Sequence, residues 1–369
     1  MYFIPLALVV AMILFKIYFR EAKMSDIPFS ERCIKLPSGY ALIWPYRDIA
    51  KANGPYELHL DNNAFVRGAW IDELPALQKK LTISPFHALV EQWLSNPQFR
   101  SDASARIESF LLPFQKAGIV FEPGFSQKLE GQLAKNQEVL RSQWMLTYLY
   151  VILLYRITFA KKDDKKPTSL LEDLKNREVP MFAGCIMLCC VAEFLKRNQN
   201  VKLCGDKTPA FSFLSSLVSL HTTGKNESEI NENYIRNRAG DISVWLSIPM
   251  LRQHGYKQAG EQVLVTQDKA LVNLVFRCLP FVQIPNGNMA VSFDELSFEK
   301  KYADEIVEII KNTVWQPKIT VNRDGQLRRL ENLRNHVTSD ADPEIVSAVN
   351  KVWEEWITPG FFKTLPLKK

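Results

Sequence analysis

The sequence predicts an α/β fold: a small, mainly parallel sheet flanked by helices, with a large helical insertion and a helical C-terminal region. Three observations carry that expectation. Short β-branched or alternating runs at 56–60, 81–84 and 262–266 recur along the chain, and helical periodicity follows them. Residues 100–230 read as almost entirely helical. At 369 residues, the chain is long enough to bury one large core or two ordinary ones.

The first 15 residues, MYFIPLALVVAMILF, are wholly apolar, and with Lys16 the stretch extends over residues 1–19. That is close to the minimum of about 20 residues for a spanning helix. There is no basic segment before it and no small-residue cleavage site, so a secretory signal fits less well. Lys16 and Arg20 lie on its C-terminal side, an arrangement that places the body of the protein in the cytoplasm, anchored to the inner face of the membrane. The other reading begins at Met24, where MSDIPFSERC looks like an ordinary soluble start and residues 1–23 become an upstream extension.

From Ile34 to Ala52, Pro37, Gly39 and Pro45 punctuate mixed text, which predicts a loop or hairpin before the first core strand. Tyr56–Leu60 is that strand. Leu81–Ser84 is the next, stopped by Pro85, and Leu89, Val90, Trp93 and Leu94 then fall on one helical face. The apolar stretches Val139–Phe159 and Val179–Leu195 resemble membrane spans. Arg141, Arg156 and Glu193 within them, and KKDDKK at 161–166 beside them, make buried helices the simpler account and a membrane hairpin the alternative. Polar text at 222–233 predicts a loop, Asp241–Gln253 a helix, Gln262–Thr266 a strand, Leu271–Phe276 a helix and Phe281–Ile284 a last strand; amphipathic helices fill the tail from Phe298.

Composition narrows the function classes. Hydrophobic residues at 47% and charged residues at 23% exclude extensive disorder. A net charge of +6 permits a polyanionic partner without demanding one. The six cysteines, Cys33, Cys185, Cys189, Cys190, Cys204 and Cys278, form no CxxC pair and read as small thiols in a reducing compartment. There is neither a Walker A loop nor GxGxxG, and His87 and His254 have no evident partner for Ser/His nucleophilic catalysis.

Acids recur where strands end or helices begin. Asp61 ends the strand in YELHLDNNAF, with Asn63 two residues on; ligand sites of open α/β sheets lie beyond the carboxyl ends of strands. Glu91 sits about two turns into the helix after Ser84-Pro85. Asp241 follows Gly240 at an expected helix start, where it would equally serve as an N-cap. Asp268 follows the strand ending at Thr266.

The order strand–Asp–x–Asn, strand–Ser–helix–Glu, helix-start Asp, strand–Thr–x–Asp resembles the PIN domain family. The resemblance covers roughly 55–100 and 235–290, so the expected organisation is a core at 34–100 and 235–290, a helical insertion at 101–234 and a C-terminal region at 291–369. It implies that Asp61, Glu91, Asp241 and Asp268 form a catalytic set holding Mg2+ or Mn2+, with Asp61 and Asp241 as direct ligands and Asp268 and Glu91 completing the site or acting through water. Asn63 and Thr266 would position groups by hydrogen bonding. Arg236 and Arg238, close before Asp241, would hold the nucleic-acid backbone by sequence-independent phosphate contacts. Arg67 and Lys269 are further basic residues near the acids. The long insertion leaves Glu193 competing with Glu91 as the second acid.

The chemistry suits such a set. Hard divalent cations prefer oxygen ligands. Carboxylates crowded together repel one another, and a cation relieves that repulsion. The implied activity is metal-dependent phosphodiester hydrolysis of RNA, with DNA as the alternative, in a toxin or defence effector that an inhibitory protein partner could control. Two rivals stand beside it: a catalytically inactive PIN-like interaction platform at a membrane, and an integral membrane protein whose three apolar runs all span.

Overall fold

The computed structural model describes residues 29–44, 54–74, 81–159, 167–220, 230, 232–253, 259–283, 289–315 and 323–357. In chain order these contain β1 (Cys33–Lys35), β2 (Ala41–Ile43), β3 (Tyr56–Leu60), α1 (Asn62–Val66), β4 (Leu81–Ser84), α2 (Phe86–Ser95), α3 (Pro97–Ser101), α4 (Ala103–Lys116), α5 (Phe125–Phe159), α6 (Pro167–Asn176), α7 (Ala183–Arg197), α8 (Ala210–Leu217), α9 (Glu232–Gln253), β5 (Glu261–Thr266), α10 (Phe276–Cys278), β6 (Phe281–Gln283), β7 (Met289–Val291), α11 (Lys300–Thr313), α12 (Arg323–Thr338) and α13 (Pro343–Trp356). The apolar run at 1–19, the charged loop at 161–166 and His254 lie outside the described residues. Among the described residues no helix is long and apolar enough to cross a membrane.

The chain divides into two compact units. The first is built from Tyr18–Gln137 and Gly240–Ser297, the second from Glu138–Ala239 and Phe298–Lys369.

The first unit holds the sheet, in the order β1-β2-β5-β3-β4. β3 is buried at all five positions and lies parallel to both β4 and β5. Its register with β5 runs from Tyr56↔Glu261 to Leu60↔Val265, so Asp61 and Thr266 come next at the same end. The carboxyl ends of β3, β4 and β5 therefore share one edge of the unit, where a parallel sheet offers a ligand site. The predicted hairpin is real and joins the sheet: β1 and β2 pair antiparallel, and β2 pairs antiparallel with β5 through Ala41↔Thr266.

One expectation is corrected here. The sheet is mixed, because β2 brings antiparallel pairing to one side of β5 while β3 takes the other side. The last strand expected at 281–284 is present as Phe281–Gln283, with Ile284 outside the described residues. β6 pairs with β7 in a separate two-stranded sheet. Around the sheet, Trp70 donates to the Ala64 carbonyl at 2.8 Å and Trp245 to the Leu279 carbonyl at 3.0 Å, so the indole N–H groups of these two buried residues are satisfied.

The second unit is helical. α7 is buried from Ala183 through Leu195, on every face, which explains why its sequence is apolar without a stripe. The Arg156 guanidinium donates to the carbonyls of His336, Val337 and Asp340 at 3.1–3.3 Å, satisfying the C-terminal end of α12. Of the six thiols, Cys185, Cys189, Cys190 and Cys278 are buried, Cys33 is partly buried and Cys204 is exposed; none of them forms a disulfide.

Candidate acidic site

Asp61 occupies the turn between β3 and α1. Its backbone N–H extends the β3–β5 ladder to the Val265 carbonyl at 3.1 Å. Its Oδ1 accepts the Ala64 N–H at 2.6 Å and so caps α1. The residue is 2 % exposed, and its Oδ2 is buried without a hydrogen bond of ordinary geometry. Burial pushes the carboxyl up to about 6; the Asp268 charge adds to the rise, while Thr266 and the Ala64 and Gln267 amides oppose it.

Thr266 and Asp268 complete this corner. Thr266 is fully buried at the end of β5, and its Oγ1 accepts the Asp268 N–H at 3.0 Å. That leaves its own O–H to donate toward Asp61. Asp268 Oδ1 accepts the N–H groups of Ala270 and Leu271 at 2.7 and 3.0 Å, so it caps the turn that leads into α10. Tyr40, from the hairpin, also belongs here. Its hydroxyl donates to the Asn63 carbonyl at 3.2 Å, and its pKa is raised by burial and by Asp61, with Arg67 acting the other way. Asn63, by contrast, presents an exposed side chain, as do Arg67 and Lys269.

Glu91 arrives from α2. It is 5 % exposed. The Gln92 amide donates to Asn62 Oδ1 at 2.7 Å, tying α2 to the start of α1. Glu91 packs on Gly240, where a Cβ would meet Glu91 Oε2 at 2.7 Å and Cδ at 2.8 Å. One turn earlier on α2, His87 lies 3.0 Å from Ser247 Oγ. As numbering rises along α2 from His87 to Glu91, the partners on α9 fall from Ser247 to Gly240. The two helices therefore pack antiparallel, with Glu91 beside the turn that carries Asp241.

Asp241 does not open a helix. α9 begins at Glu232 and passes through Gly240 without a break, so Asp241 sits in its interior and is partly buried. The i,i+4 pair of Arg236 with Glu232 supports the earlier turns, and the Glu91 side chain fills the space that Gly240 leaves. Arg236 is a second correction. It is 4 % exposed, paired with Glu232 and Glu355, and stacked over Trp356 at 4.8 Å. It is a buried cation of the second unit with its donors engaged, unsuited to holding a phosphate. Arg238 is partly buried on the same helix. Glu193, the competing acid, lies in the second unit with Oε1 engaged by Arg197, whereas Asp61, Glu91, Asp241 and Asp268 all belong to the first.

Beneath Asp61 runs a polar stripe that went unread in the sequence. Glu57 and His59 share one face of β3, and both are buried. Glu57 Oε2 accepts the Ala259 N–H at 3.0 Å, and its Oε1 lies 4.0 Å from His59 Nε2. The His59 and His87 rings are 6.0 Å apart. Burial pushes His59 down to about 3, with His87 contributing, and His87 down to about 4. The alternation Glu-x-His-x-Asp at 57–61 was the available signal.

The donors are thus brought together in two sets, Asp61 with Asp268 and Glu91 with the Asp241 turn. Among the described residues no three His, Cys, Asp or Glu side chains converge closely enough to hold a metal ion by themselves. The chain matches no family model, no curated protein and no solved structure.

Proposed function

We propose that the first unit is a PIN-like nuclease that hydrolyses phosphodiester bonds of nucleic acid, RNA by preference, with Mg2+ or Mn2+. The observation that carries this reading is the buried Asp61 carboxylate at the end of the central parallel strand, with Thr266 and the Asp268 charge beside it. A carboxylate kept there without a compensating cation costs stability.

The donor set fits a hard cation. Mg2+ is commonly held by one or two carboxylates, completing its shell with waters and substrate phosphates. Asp61 and Asp268 would be its direct ligands, and Glu91 and Asp241 would complete the site through water. When bound, such an ion supplies a more acidic water and neutralises charge on the scissile phosphate. The chain's own part is positional. Thr266 orients both aspartates, and Tyr40 fixes the backbone at Asn63, whose exposed amide is free to meet a phosphate or sugar.

Cleavage of labelled single-stranded RNA and DNA by the full chain, with Mn2+, Mg2+ or EDTA, tests this. Metal-dependent cutting that Asp61→Asn and Asp268→Asn both abolish is the expected result. A folded wild-type protein that neither cuts nor binds Mn2+ would overturn it. The second reading is an inactive PIN-like interaction platform, and a folded wild-type protein that neither cuts nor binds Mn2+ would move the assignment to it.

A further inference from the structure

We infer that Gly240 is a positioning residue of the acidic site: it is the notch in α9 that seats the Glu91 carboxyl beside the turn bearing Asp241. The inference rests on the nuclease reading for its functional meaning, but the geometry stands without it.

Glycine in the middle of a helix needs a reason, because it adds backbone freedom to the unfolded chain and offers nothing to pack. Gly240 lies in the third turn of a 22-residue helix. It is interior to the helix and has no positive φ that would call for glycine. The reason lies across the interface with α2. A Cβ at this position would stand 2.7 Å from Glu91 Oε2, 2.8 Å from Cδ and 2.9 Å from Cγ, inside contact distance for three consecutive atoms. Glu91 therefore occupies the volume that any other residue at 240 would fill.

The end of a glutamate side chain can usually move aside. Here the freedom is small, because Glu91 is 5 % exposed and its neighbours along α2, His87 and Leu94, are buried as well. Alanine at 240 would push the carboxyl away from α9, and so away from Asp241, which follows Gly240 directly. A two-part requirement results. The acid must come from position 91, and the residue facing it on α9 must have no side chain.

The test separates the notch from the chemistry. In urea unfolding with EDTA present, an unobstructed Gly→Ala change inside a helix raises the folding equilibrium constant by roughly threefold. We expect Gly240→Ala to lower it in the wild-type chain and to raise it by about that factor in a Glu91→Ala background, where the volume is open. An equal gain in both backgrounds would overturn the proposal. The functional arm is a Mn2+ titration of RNA cleavage. Gly240→Ala should raise the Mn2+ concentration for half-maximal activity at least tenfold while leaving KM for RNA unchanged, and Gly240→Ala with Glu91→Asp, one methylene shorter, should recover part of the loss. An unchanged Mn2+ requirement in a cleaving Gly240→Ala variant would refute the positioning role. If wild type itself cleaves nothing, the nuclease reading falls, and the sign of the unfolding cycle still decides whether the notch exists.

Discussion

Asp61→Asn should make this protein more stable at neutral pH while removing its activity. Asparagine is nearly isosteric and retains an oxygen to accept the Ala64 N–H, so the cap on α1 survives. What disappears is a buried charge. Because burial raises the folded-state carboxyl from 3.8 to about 6, the folded chain binds a proton more readily than the unfolded one. The stability cost of the ionised form therefore grows as pH rises from about 4 to 6 and is complete above that window. The full shift corresponds to about 3 kcal/mol, a ceiling, since the asparagine amide must itself be accommodated beside Thr266. We expect a gain of about 1–3 kcal/mol for Asp61→Asn at pH 7.5, shrinking to about 1 kcal/mol or less at pH 4.5, read from urea midpoints in EDTA. Mn2+ should raise the midpoint of the wild type and leave that of the variant unchanged. A variant less stable than wild type at pH 7.5, or a gain independent of pH, would refute the claim that Asp61 is held as a destabilised carboxylate.

Three further outcomes are expected. Because His59 is pushed down to about 3 and His87 to about 4 from 6.5, the folded state resists protonation. Each histidine thus contributes stability that is fully present above pH 6.5 and is lost as pH falls toward 4, by about 2 kcal/mol apiece at pH 5. Partly offset by relief at Asp61, this should lower the urea midpoint from pH 7 to pH 5, and a flat or rising profile would contradict it. Asp268→Asn should keep the capping bonds to Ala270 and Leu271 and lose cleavage by at least about a hundredfold, whereas Asp268→Ala should also cost about 1 kcal/mol of stability in thermal unfolding. Arg236→Ala should destabilise by about 2 kcal/mol, since it takes the buried cation away from Glu355 and leaves Glu232 with Lys351 alone, yet cleavage per folded molecule should match wild type; a selective loss of RNA binding would restore Arg236 as a phosphate contact.

Much of the core was legible because strand and helix leave different periods in the text. β3, β4 and β5 were read within a residue or so, and the acids at the ends of β3 and β5 stand at one edge because those strands run parallel. The rest was hidden for identifiable reasons. Whether β2 or a later strand flanks β5 depends on long-range pairing that local pattern does not encode. The start of α9 was missed because Gly240 suggested a break, and only the volume of Glu91 across the interface shows why a helix continues through it. Arg236 looked like a phosphate ligand because its partners Glu355 and Trp356 lie far along the chain. The pairing of His87 with Ser247 likewise joins positions far apart in sequence.

The pairing of β3 with β5 carries a consequence for how the chain is made. These neighbours are separated by ~200 residues, a span that contains most of the helices of the second unit. The second unit in turn needs α11, α12 and α13, which follow β5. A ribosome must therefore deliver Thr266 before the sheet can close, and the region beyond Phe298 before the helical unit can. Each half waits on sequence that emerges after part of the other. Such a chain folds late in synthesis and has high contact order. No single cut yields two contiguous fragments that each hold a complete unit, so deletion from the C-terminal end should unfold the helical half first, and Cys33–Thr266 is the shortest span that still holds all five strands of the sheet around Asp61.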